Sequence, residues 1–256
     1  TLTATVEGSP AVELNGTPFT LLAGAAALID SGPFTVTESI SNGGDVDIDY
    51  SYDPGAADLD FLSVGETLTV TYTVKVSDGT SESATQDVTF TITGTNDIPV
   101  VTDDSKTIDE DTTLVGNVLP ATDVDSDIVV DGYALVDDVT EGTLTFNNDG
   151  SYVFDPGDAF QDLKPSESRE VTFTYSATDD NGGESAPATV TITVTGGNDA
   201  PVLSDTTDPA AVDELVDASA QDLDAIAGVF TVTDLDANDT LTATVEGSPA
   251  VELNGT

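Results

Sequence analysis

Short stretches that alternate apolar and polar residues recur along the chain, and each is followed by a turn. Residues 69–76 read TVTYTVKV and residues 171–177 read VTFTYSA. Asp78-Gly79 follows the first stretch, and a turn rich in Asp, Asn and Gly at 179–183 follows the second. Because alternation places every second side chain on one face, these stretches predict strands with one buried face. Short strands of this kind, separated by turns, are typical of an all-β sandwich.

Two stretches depart from this pattern. Residues 19–29 form the longest apolar run, which is too short to span a bilayer. Residues 213–228 have mixed spacing, which allows a short helix there. Neither stretch changes the predicted all-β class.

A long internal repeat frames the chain. Residues 1–17, TLTATVEGSPAVELNGT, recur letter for letter at 240–256, so the two copies lie 239 residues apart. An identity of this length predicts a repeat of 239 residues in a longer parent protein. Two shorter marks, GTNDIPV at 94–100 and GGNDAPV at 196–202, lie 102 residues apart, which is the length of one sandwich.

These marks predict three parts. Residues 98–199 are expected to form a complete sandwich. Residues 1–97 are expected to be a truncated unit that lacks its opening strands, and residues 200–256 to be the opening part of the next copy of that unit. We therefore expect that the tail of one copy can complete the first unit of another, head to tail, by donor-strand pairing.

The charge of the chain restricts its partners. Asp and Glu number 49 against four Lys and Arg, which gives a net charge of −45. Four basic residues do not form the basic stripe that nucleic acid needs, and an anionic membrane surface repels such a chain. We therefore expect no nucleic-acid partner and no direct membrane insertion. The natural partner of so many carboxylates is a hard cation such as Ca²⁺.

The residue types that are missing restrict the chemistry. The sequence has no Cys, His, Met or Trp. Disulfides, zinc or copper sites and His-based acid–base catalysis are therefore not expected. Ser and Thr are abundant without a His to activate them, and acidic pairs arise by default in so acidic a chain. The sequence predicts that the chain is not an enzyme.

Several motifs in the central part carry a family resemblance. They are GTLTFNNDGSYVFDPG at 142–157, FTYSATDDNGG at 173–183 and TGGNDAPV at 195–202. These residues resemble the VCBS repeats of large bacterial adhesins of the RTX type, within the broader cadherin-like group. The resemblance implies tandem Ig-like or cadherin-like β-sandwich (Greek-key) domains joined by short Ca²⁺-binding linkers. It also implies an extracellular location on the bacterial cell surface and a structural role in cell adhesion and biofilm formation.

Acidic loops are expected to meet at the boundaries between sandwiches. On a seven-stranded sandwich, the loop at 123–127 follows the second strand and Asp179 lies in the loop after the sixth, both at the end where the chain enters. Calcium takes six to eight oxygen ligands, which such a cluster supplies. By the resemblance, the first junction would use Glu66, Asn96, Asp97, Asp123, Asp125, Asp127 and Asp179. The second would use Glu110, Glu167, Asn198, Asp199, Asp234 and Asp236, and Glu214 is the copy of an acid that the first unit lacks.

Other interpretations of the same residues stay open at this stage. A halophile-like acidic coat would spread the acids evenly and would not need Asn-Asp at each boundary. A Ca²⁺-dependent carbohydrate-binding module would need exposed aromatic residues beside an acidic loop, for which Tyr133 and Phe160 are the candidates. The predicted function is an extender segment of a repetitive surface adhesin, with Ca²⁺ and the neighbouring repeats of the same chain as its partners.

Overall fold

The computed structural model describes residues 1–29, 34–40, 43–207 and 227–247. In these residues the regular structure is almost entirely β, with 3-10 helices at Ala23–Leu28 and Gly157–Ala159. The all-β prediction is confirmed. The first helix lies in the apolar run at 19–29, whereas the stretch at 213–228 lies almost wholly outside the described residues.

The N-terminal strand group holds the first seven strands. Its largest sheet is built on one long strand, β6, which takes β1 and β2 in succession on one edge and β7 on the other, all antiparallel. β3 pairs with β2, while β4 and β5 form a separate antiparallel pair. The strands are β1 (Thr3–Val6), β2 (Ala11–Leu14), β3 (Thr17–Pro18), β4 (Phe34–Val36), β5 (Tyr50–Tyr52), β6 (Thr67–Ser77) and β7 (Gln86–Thr93).

The apolar helix at Ala23–Leu28 forms part of the core of this group. Leu28 is fully buried with Leu62 and Leu68. The hydroxyls of Tyr52 and Tyr72 both donate to the Leu28 carbonyl oxygen at 3.1 Å, which ties the end of the helix to two strands. The unusual apolar run is therefore a core element of this strand group.

The central sandwich has seven strands in two facing sheets, four in one and three in the other. One sheet has the order β10-β13-β14-β8 and the other β11-β12-β9. β8 runs parallel to β14, and the other neighbours are antiparallel. The strands are β8 (Asp104–Asp109), β9 (Leu114–Asn117), β10 (Ile128–Asp137), β11 (Thr143–Phe146), β12 (Ser151–Asp155), β13 (Ser168–Asp179) and β14 (Ala188–Thr195).

Alternation along the strands builds the core of the central sandwich. Every second residue of β14 is buried, from Ala188 to Val194. Phe154 on one sheet and Phe173 on the other are both fully buried in the same cluster. Burying an apolar side chain of this size stabilises a fold by about 1.5–3 kcal/mol. This core fixes the two ends of the sandwich at which the acidic loops lie.

The C-terminal strand pair follows the central sandwich. β15 (Val202–Thr206) and β16 (Phe230–Thr233) pair antiparallel, with Val202 opposite Thr233. β16 leads directly into Asp234, so this pair places a second Asp-x-Asp loop at the exit of the central sandwich.

Candidate metal centres at the two junctions

The first junction lies where residues 94–97 enter the central sandwich. The Asn96 side-chain amide donates to the Asp97 carbonyl oxygen at 2.7 Å and to Asp179 Oδ2 at 2.8 Å. Asn96 Oδ1 accepts from Ser126 Oγ at 3.1 Å. One side chain therefore ties together the linker, the loop at 123–127 and the end of β13.

The loop at 123–127 is folded around its first carboxylate. Asp123 Oδ1 accepts from the backbone N–H groups of Asp125 and Ser126, at 3.1 and 3.0 Å. This bonding is the Asx turn that Asp favours. The second oxygen, Asp123 Oδ2, is buried and has no hydrogen-bond donor. Asp127 is exposed, and its carbonyl oxygen accepts from the Asp180 backbone.

The sequence predicts Asp179 in the loop after the sixth strand. In the structure it is instead the last residue of β13. The strand runs on because its end still pairs with β10, where Ile128 lies opposite Asp179. The carboxylate is 1% exposed and accepts from Gly183 N at 2.8 Å as well as from Asn96. The Asn96 hydrogen bond lowers the pKa of Asp179, and the backbone donors act in the same direction. Asp179 is therefore held as a carboxylate by donors of the protein.

Two further acids face this junction. Burial is the main cause that raises the pKa of Asp97, and the charges of Asp60, Asp125, Asp123 and Asp58 raise it further. Asp58 and Asp60 are exposed and lie between β5 and β6. They were not among the predicted site residues, although Asp58-Leu-Asp60 repeats the Asp-x-Asp signal of the loop at 123–127.

Glu66 lies in the turn that leads into β6. Its carboxylate accepts from Asn15 Nδ2 at 2.9 Å and from the Ser63 backbone N–H at 3.2 Å. These bonds close the turn before β6 and tie it to the turn after β2. Ser63 also donates its hydroxyl to the Asp125 carbonyl oxygen, which is a direct contact across the junction. Glu66 is thus bonded within its own strand group.

The second junction is centred on a buried glutamate. Glu110 is 2% exposed, and its Oε1 accepts from the Gly197 backbone N–H at 2.6 Å. Its Oε2 is buried and has no hydrogen-bond donor. Burial raises the pKa of Glu110, the Gly197 bond opposes this, and the charges of Asp199, Asp111 and Asp109 add to the rise.

The linker and the second Asp-x-Asp loop meet Glu110 from the other side. The Asp199 backbone donates to Asp236 Oδ2 at 2.8 Å, and Asp236 is 3% exposed. Asp199 Oδ2 and Asp236 Oδ1 are both buried without a donor. Burial and then the charges of Asp236, Asp111 and Asp234 raise the pKa of Asp199. Asp111 was not predicted as a site residue, although it directly follows Glu110.

Three hydrogen bonds recur at both junctions. The linker Asn amide donates to the carbonyl oxygen of the next Asp, at 2.7 Å in the first junction and 2.9 Å in the second. The linker Asp backbone donates to the second Asp of the loop, at 3.4 and 2.8 Å. Within each loop the second Asp donates its N–H to the first, at 3.1 Å in both. The two junctions therefore share the same pattern of hydrogen bonds between side chains and backbone.

Three predicted residues remain, of which two lie at the surface. Glu167 is exposed and accepts from the Lys164 backbone at 3.2 Å, as Glu66 does from Ser63. Lys164 forms a salt bridge with Asp239 at 2.6 Å, which places one positively charged side chain beside the second junction. Asn198 is exposed. Glu214 lies outside the described residues.

The oxygen atoms at the junctions are suitable ligands for a hard cation. Four carboxylate oxygens at the junctions are buried without a donor, and each such acceptor costs about 1–3 kcal/mol, or more when charged. Calcium accepts carboxylate, amide and carbonyl oxygens in flexible geometries. In the part of the chain that the structure describes, no group of three or more acids is already arranged to hold a metal ion. The four oxygens are Asp123 Oδ2, Glu110 Oε2, Asp199 Oδ2 and Asp236 Oδ1.

The aromatic residues proposed for sugar stacking are in or against the core. Phe160 is fully buried and Tyr133 packs against the same cluster. The Tyr133 hydroxyl accepts from the Ala121 backbone N–H at 2.9 Å. The ring of Phe160 is therefore not available to stack on a sugar, whereas that of Tyr133 is partly exposed, so the carbohydrate-binding interpretation loses one of its two candidate residues.

One protein family is similar to the central part of the chain. Residues 96–196 match the family of bacterial cadherin-like domains, which accounts for less than half of the chain. The match begins at Asn96 of the first linker and ends at Gly196, two residues before Asn198 of the second. Domains of this family are extracellular and belong to adhesion-type proteins that are typically non-enzymatic. Among curated proteins, no match was found.

Three solved structures align with the chain at low similarity. Extracellular cadherin domains 1–4 of protocadherin gamma B7 align at 16% identity and a TM-score of 0.43, covering 92% of this chain and 55% of theirs. Domains EC1–4 of Drosophila N-cadherin align at 14% identity and 0.36, covering 74% and 41%. An endo-fucoidan hydrolase of glycoside hydrolase family 107 aligns at 18% identity and 0.26, covering 77% and 24%. The chain thus spans about half or less of these structures, and scores this low say nothing about activity.

No helix in the described ranges is both long and apolar enough to cross a membrane.

Proposed function

We propose that the chain is a structural extender segment of a giant, repetitive adhesin of the RTX type on the bacterial cell surface. In this proposal Ca²⁺ at the two junctions holds neighbouring sandwiches at a fixed angle, so that the array projects an adhesive tip for cell adhesion or biofilm formation. The observation that carries the proposal is the buried carboxylate oxygens without a donor. They are Asp123 Oδ2 at the first junction and, from three separate segments of the chain, Glu110 Oε2, Asp199 Oδ2 and Asp236 Oδ1 at the second.

The geometry explains why a cation would couple the sandwiches. At the second junction, Glu110 belongs to the central sandwich, Asp199 to the linker and Asp236 to the loop after β16. At the first junction, Asp97 belongs to the linker and Asp123 to the central sandwich, while Asp60 belongs to the strand group before it. A cation bound by these groups would bridge both sides of each boundary and cancel charges that otherwise repel.

The expected energies suit such a role. Extracellular calcium modules bind with dissociation constants on the order of 10⁻⁴–10⁻³ M. At ten times that constant, each occupied site stabilises the folded state by about 1.4 kcal/mol. Several sites together reach a large part of the roughly 5–15 kcal/mol that stabilises an ordinary domain. A low-calcium environment would therefore leave the junctions loose, and an extracellular one would close them.

The domain division belongs to the same proposal. Residues 98–199 would be one VCBS-type unit, residues 1–97 would be a unit without its opening strands, and residues 200–256 would open the next copy. The matching hydrogen bonds at Asn96-Asp97 and Asn198-Asp199 support boundaries at these two places. The parent array would then repeat one junction design many times.

Thermal melting in EDTA, magnesium and millimolar calcium tests the proposal. Calcium should raise the melting temperature more than magnesium does, because many carboxylate oxygens lie at the junctions and calcium accepts them in flexible geometries, whereas magnesium requires a near-ideal octahedron. The double variant D199N/D236N should lose the share of this rise that belongs to the second junction. The matched variant D137N/D138N removes two exposed acids of the central sandwich and should keep the whole rise. An equal response of both double variants would contradict the proposal.

A further inference from the structure

We infer that Lys164 acts as a built-in cation of the second junction and favours the closed form of this boundary when no metal ion is bound. Lys164 is in this sense a positioning residue, because it holds the loop after β16 against the end of the central sandwich. The first junction has a serine at the same place. That the first junction depends more strongly on calcium rests on the proposed function, whereas the role of Lys164 without a metal ion does not.

Lys164 and Ser63 occupy the same place in two similar turns. Each lies three residues before a glutamate, and its backbone N–H donates to that carboxylate at 3.2 Å in both turns. Its carbonyl oxygen accepts from the N–H of the same glutamate, at 2.9 Å for Lys164 and 3.0 Å for Ser63. A linker glycine lies against each turn, since a Cβ at Gly196 would collide with the Lys164 carbonyl oxygen. A Cβ at Gly94 would collide in the same way with that of Ser63.

The side chain at this place crosses the boundary at both junctions. Ser63 donates its hydroxyl to the Asp125 carbonyl oxygen in the first Asp-x-Asp loop. The Lys164 ammonium donates to Asp239 Oδ1 at 2.6 Å, three residues after Asp236 of the second Asp-x-Asp loop. The second junction therefore has a salt bridge where the first has a neutral hydrogen bond.

Lys164 is the only basic residue in the described ranges whose salt bridge crosses a boundary between units. The other salt bridges stay within the N-terminal strand group or within the central sandwich. They join Lys75 to Glu7 and Glu82, Lys106 to Asp104, and Arg169 to Glu141 and Asp162. The charge of Lys164 is thus placed at a junction, while the other three positive charges lie inside single units.

The charge of Lys164 acts on an acid of the candidate metal site. The hydrogen bond to Asp239 is the main cause that raises the pKa of Lys164, and burial opposes it. The charges of Asp239, Glu167 and Asp236 add to the rise. Because a Coulomb interaction acts on both partners, Lys164 also favours the charged form of Asp236, whose Oδ1 is buried without a donor. Lys164 therefore supplies part of the charge compensation that a bound metal ion would otherwise provide.

The first junction has space for a cation at the corresponding place. Ser63 lines an open cavity of about 470 Å³ together with Asp123, Asp125 and Asp127. Among the described residues, the lining of this cavity includes no Lys or Arg. The carboxylates there repel one another without a positive charge of the protein between them.

Distances between pairs of spin labels in EDTA test the role of Lys164. The chain has no Cys, so two introduced cysteines carry the only labels. T80C and T140C place one label on each side of the first junction, and N148C and T231C do the same for the second. All four residues are exposed. In EDTA, the second pair should give a narrower distribution of distances than the first.

Four variants separate the charge of Lys164 from its other contacts. K164Q removes the charge and keeps most of the side-chain length. An exposed salt bridge shifts an equilibrium by up to about fivefold, so the ratio of closed to open second junctions should fall by about two- to fivefold in EDTA. K164R keeps the charge and should keep the distribution, and S63K should narrow the distribution of the first pair. K75Q is the matched control, because it removes the same charge from salt bridges inside one strand group, and it should change neither pair.

Unchanged distances at the second junction in K164Q, or the same change in K75Q, would overturn the inference. Calcium should restore the distribution of K164Q, because a bound metal ion supplies the missing charge. If K164Q loses the closed distance in EDTA and calcium does not restore it, the proposed function is contradicted while the role of Lys164 stands.

Discussion

Replacing Glu110 with Gln is expected to shift stability in opposite directions in the absence and presence of calcium. Without the metal, Glu110 is a carboxylate at 2% exposure with one donor, Gly197 N, and one unpaired oxygen. The neutral amide keeps the acceptor for Gly197, removes one negative charge from a site on which the charges of Asp199 and Asp111 act, and replaces the unpaired oxygen with a donor. Removing a buried, unpaired acceptor should therefore stabilise the metal-free protein by about 1–3 kcal/mol.

In calcium, the same change should reduce the stabilisation that the metal provides. A site filled at ten times its dissociation constant contributes about 1.4 kcal/mol, and an amide is a weaker ligand than a carboxylate. For a domain of this size, about 1 kcal/mol moves the melting temperature by roughly 4–8 °C. E110Q should thus melt several degrees above the wild type in EDTA and should gain less from calcium.

Differential scanning calorimetry of the whole chain in EDTA and in millimolar calcium measures both effects. E170Q is the matched control, because Glu170 is an exposed residue of β13 that undergoes the same chemical change. It should leave both temperatures unchanged. If E110Q lowers the melting temperature in EDTA, or keeps the full calcium response, the reasoning from the unpaired oxygen is refuted.

Three further predictions concern the junctions. The raised pKa values of Asp97, Glu110 and Asp199 mean that the folded metal-free protein binds protons more tightly than the unfolded chain, whose Asp and Glu titrate near pH 4. The stabilisation from these three protonated groups is complete below that pH and is lost as the pH rises through their pKa values in the folded state. The melting temperature in EDTA should therefore rise on acidification from neutral toward about pH 5. A melting temperature that does not change with pH would count against this. G183A should destabilise the first junction by about 1–3 kcal/mol, because a Cβ there meets Asp179 and Asn96; unchanged unfolding in urea would contradict this. D60N should weaken calcium binding by calorimetric titration at the first junction only, and an unaltered isotherm would exclude Asp60 from the site.

Local pattern predicted the parts of the fold that depend on neighbouring residues. The alternation at 171–177 lies within β13, and the Asp-x-Asp loop at 123–127 stands before β10, because strand pairing and Asx turns are both short-range properties. The unusual apolar run at 19–29 was not predicted as a helix. Its 3-10 turn is fixed by distant partners, the hydroxyls of Tyr52 and Tyr72.

The candidate site also depends on contacts that the local sequence pattern does not predict. Asp58 and Asp60 carry a readable signal, but only the packing of their loop against the linker brings their charges to Asp97. The hydrogen bond that Asn15, 51 residues away, donates to the Glu66 carboxylate is likewise absent from the local sequence pattern. Phe160 stands in a segment between strands, and the 3-10 turn at Gly157–Ala159 leads it into the core. Contacts between distant residues decide the first two cases and a local turn decides the third, and the pattern of apolar and polar residues predicts none of them.

Small-angle scattering of the whole chain at low concentration, in EDTA, magnesium and millimolar calcium, tests the central claim most directly. The claim is that cations at the two junctions fix the angle between neighbouring sandwiches. The prediction is a broad distribution of distances in EDTA or magnesium and one extended, rigid particle in millimolar calcium. Profiles that coincide in all three solutions would contradict the claim and leave the acids as a solvating coat.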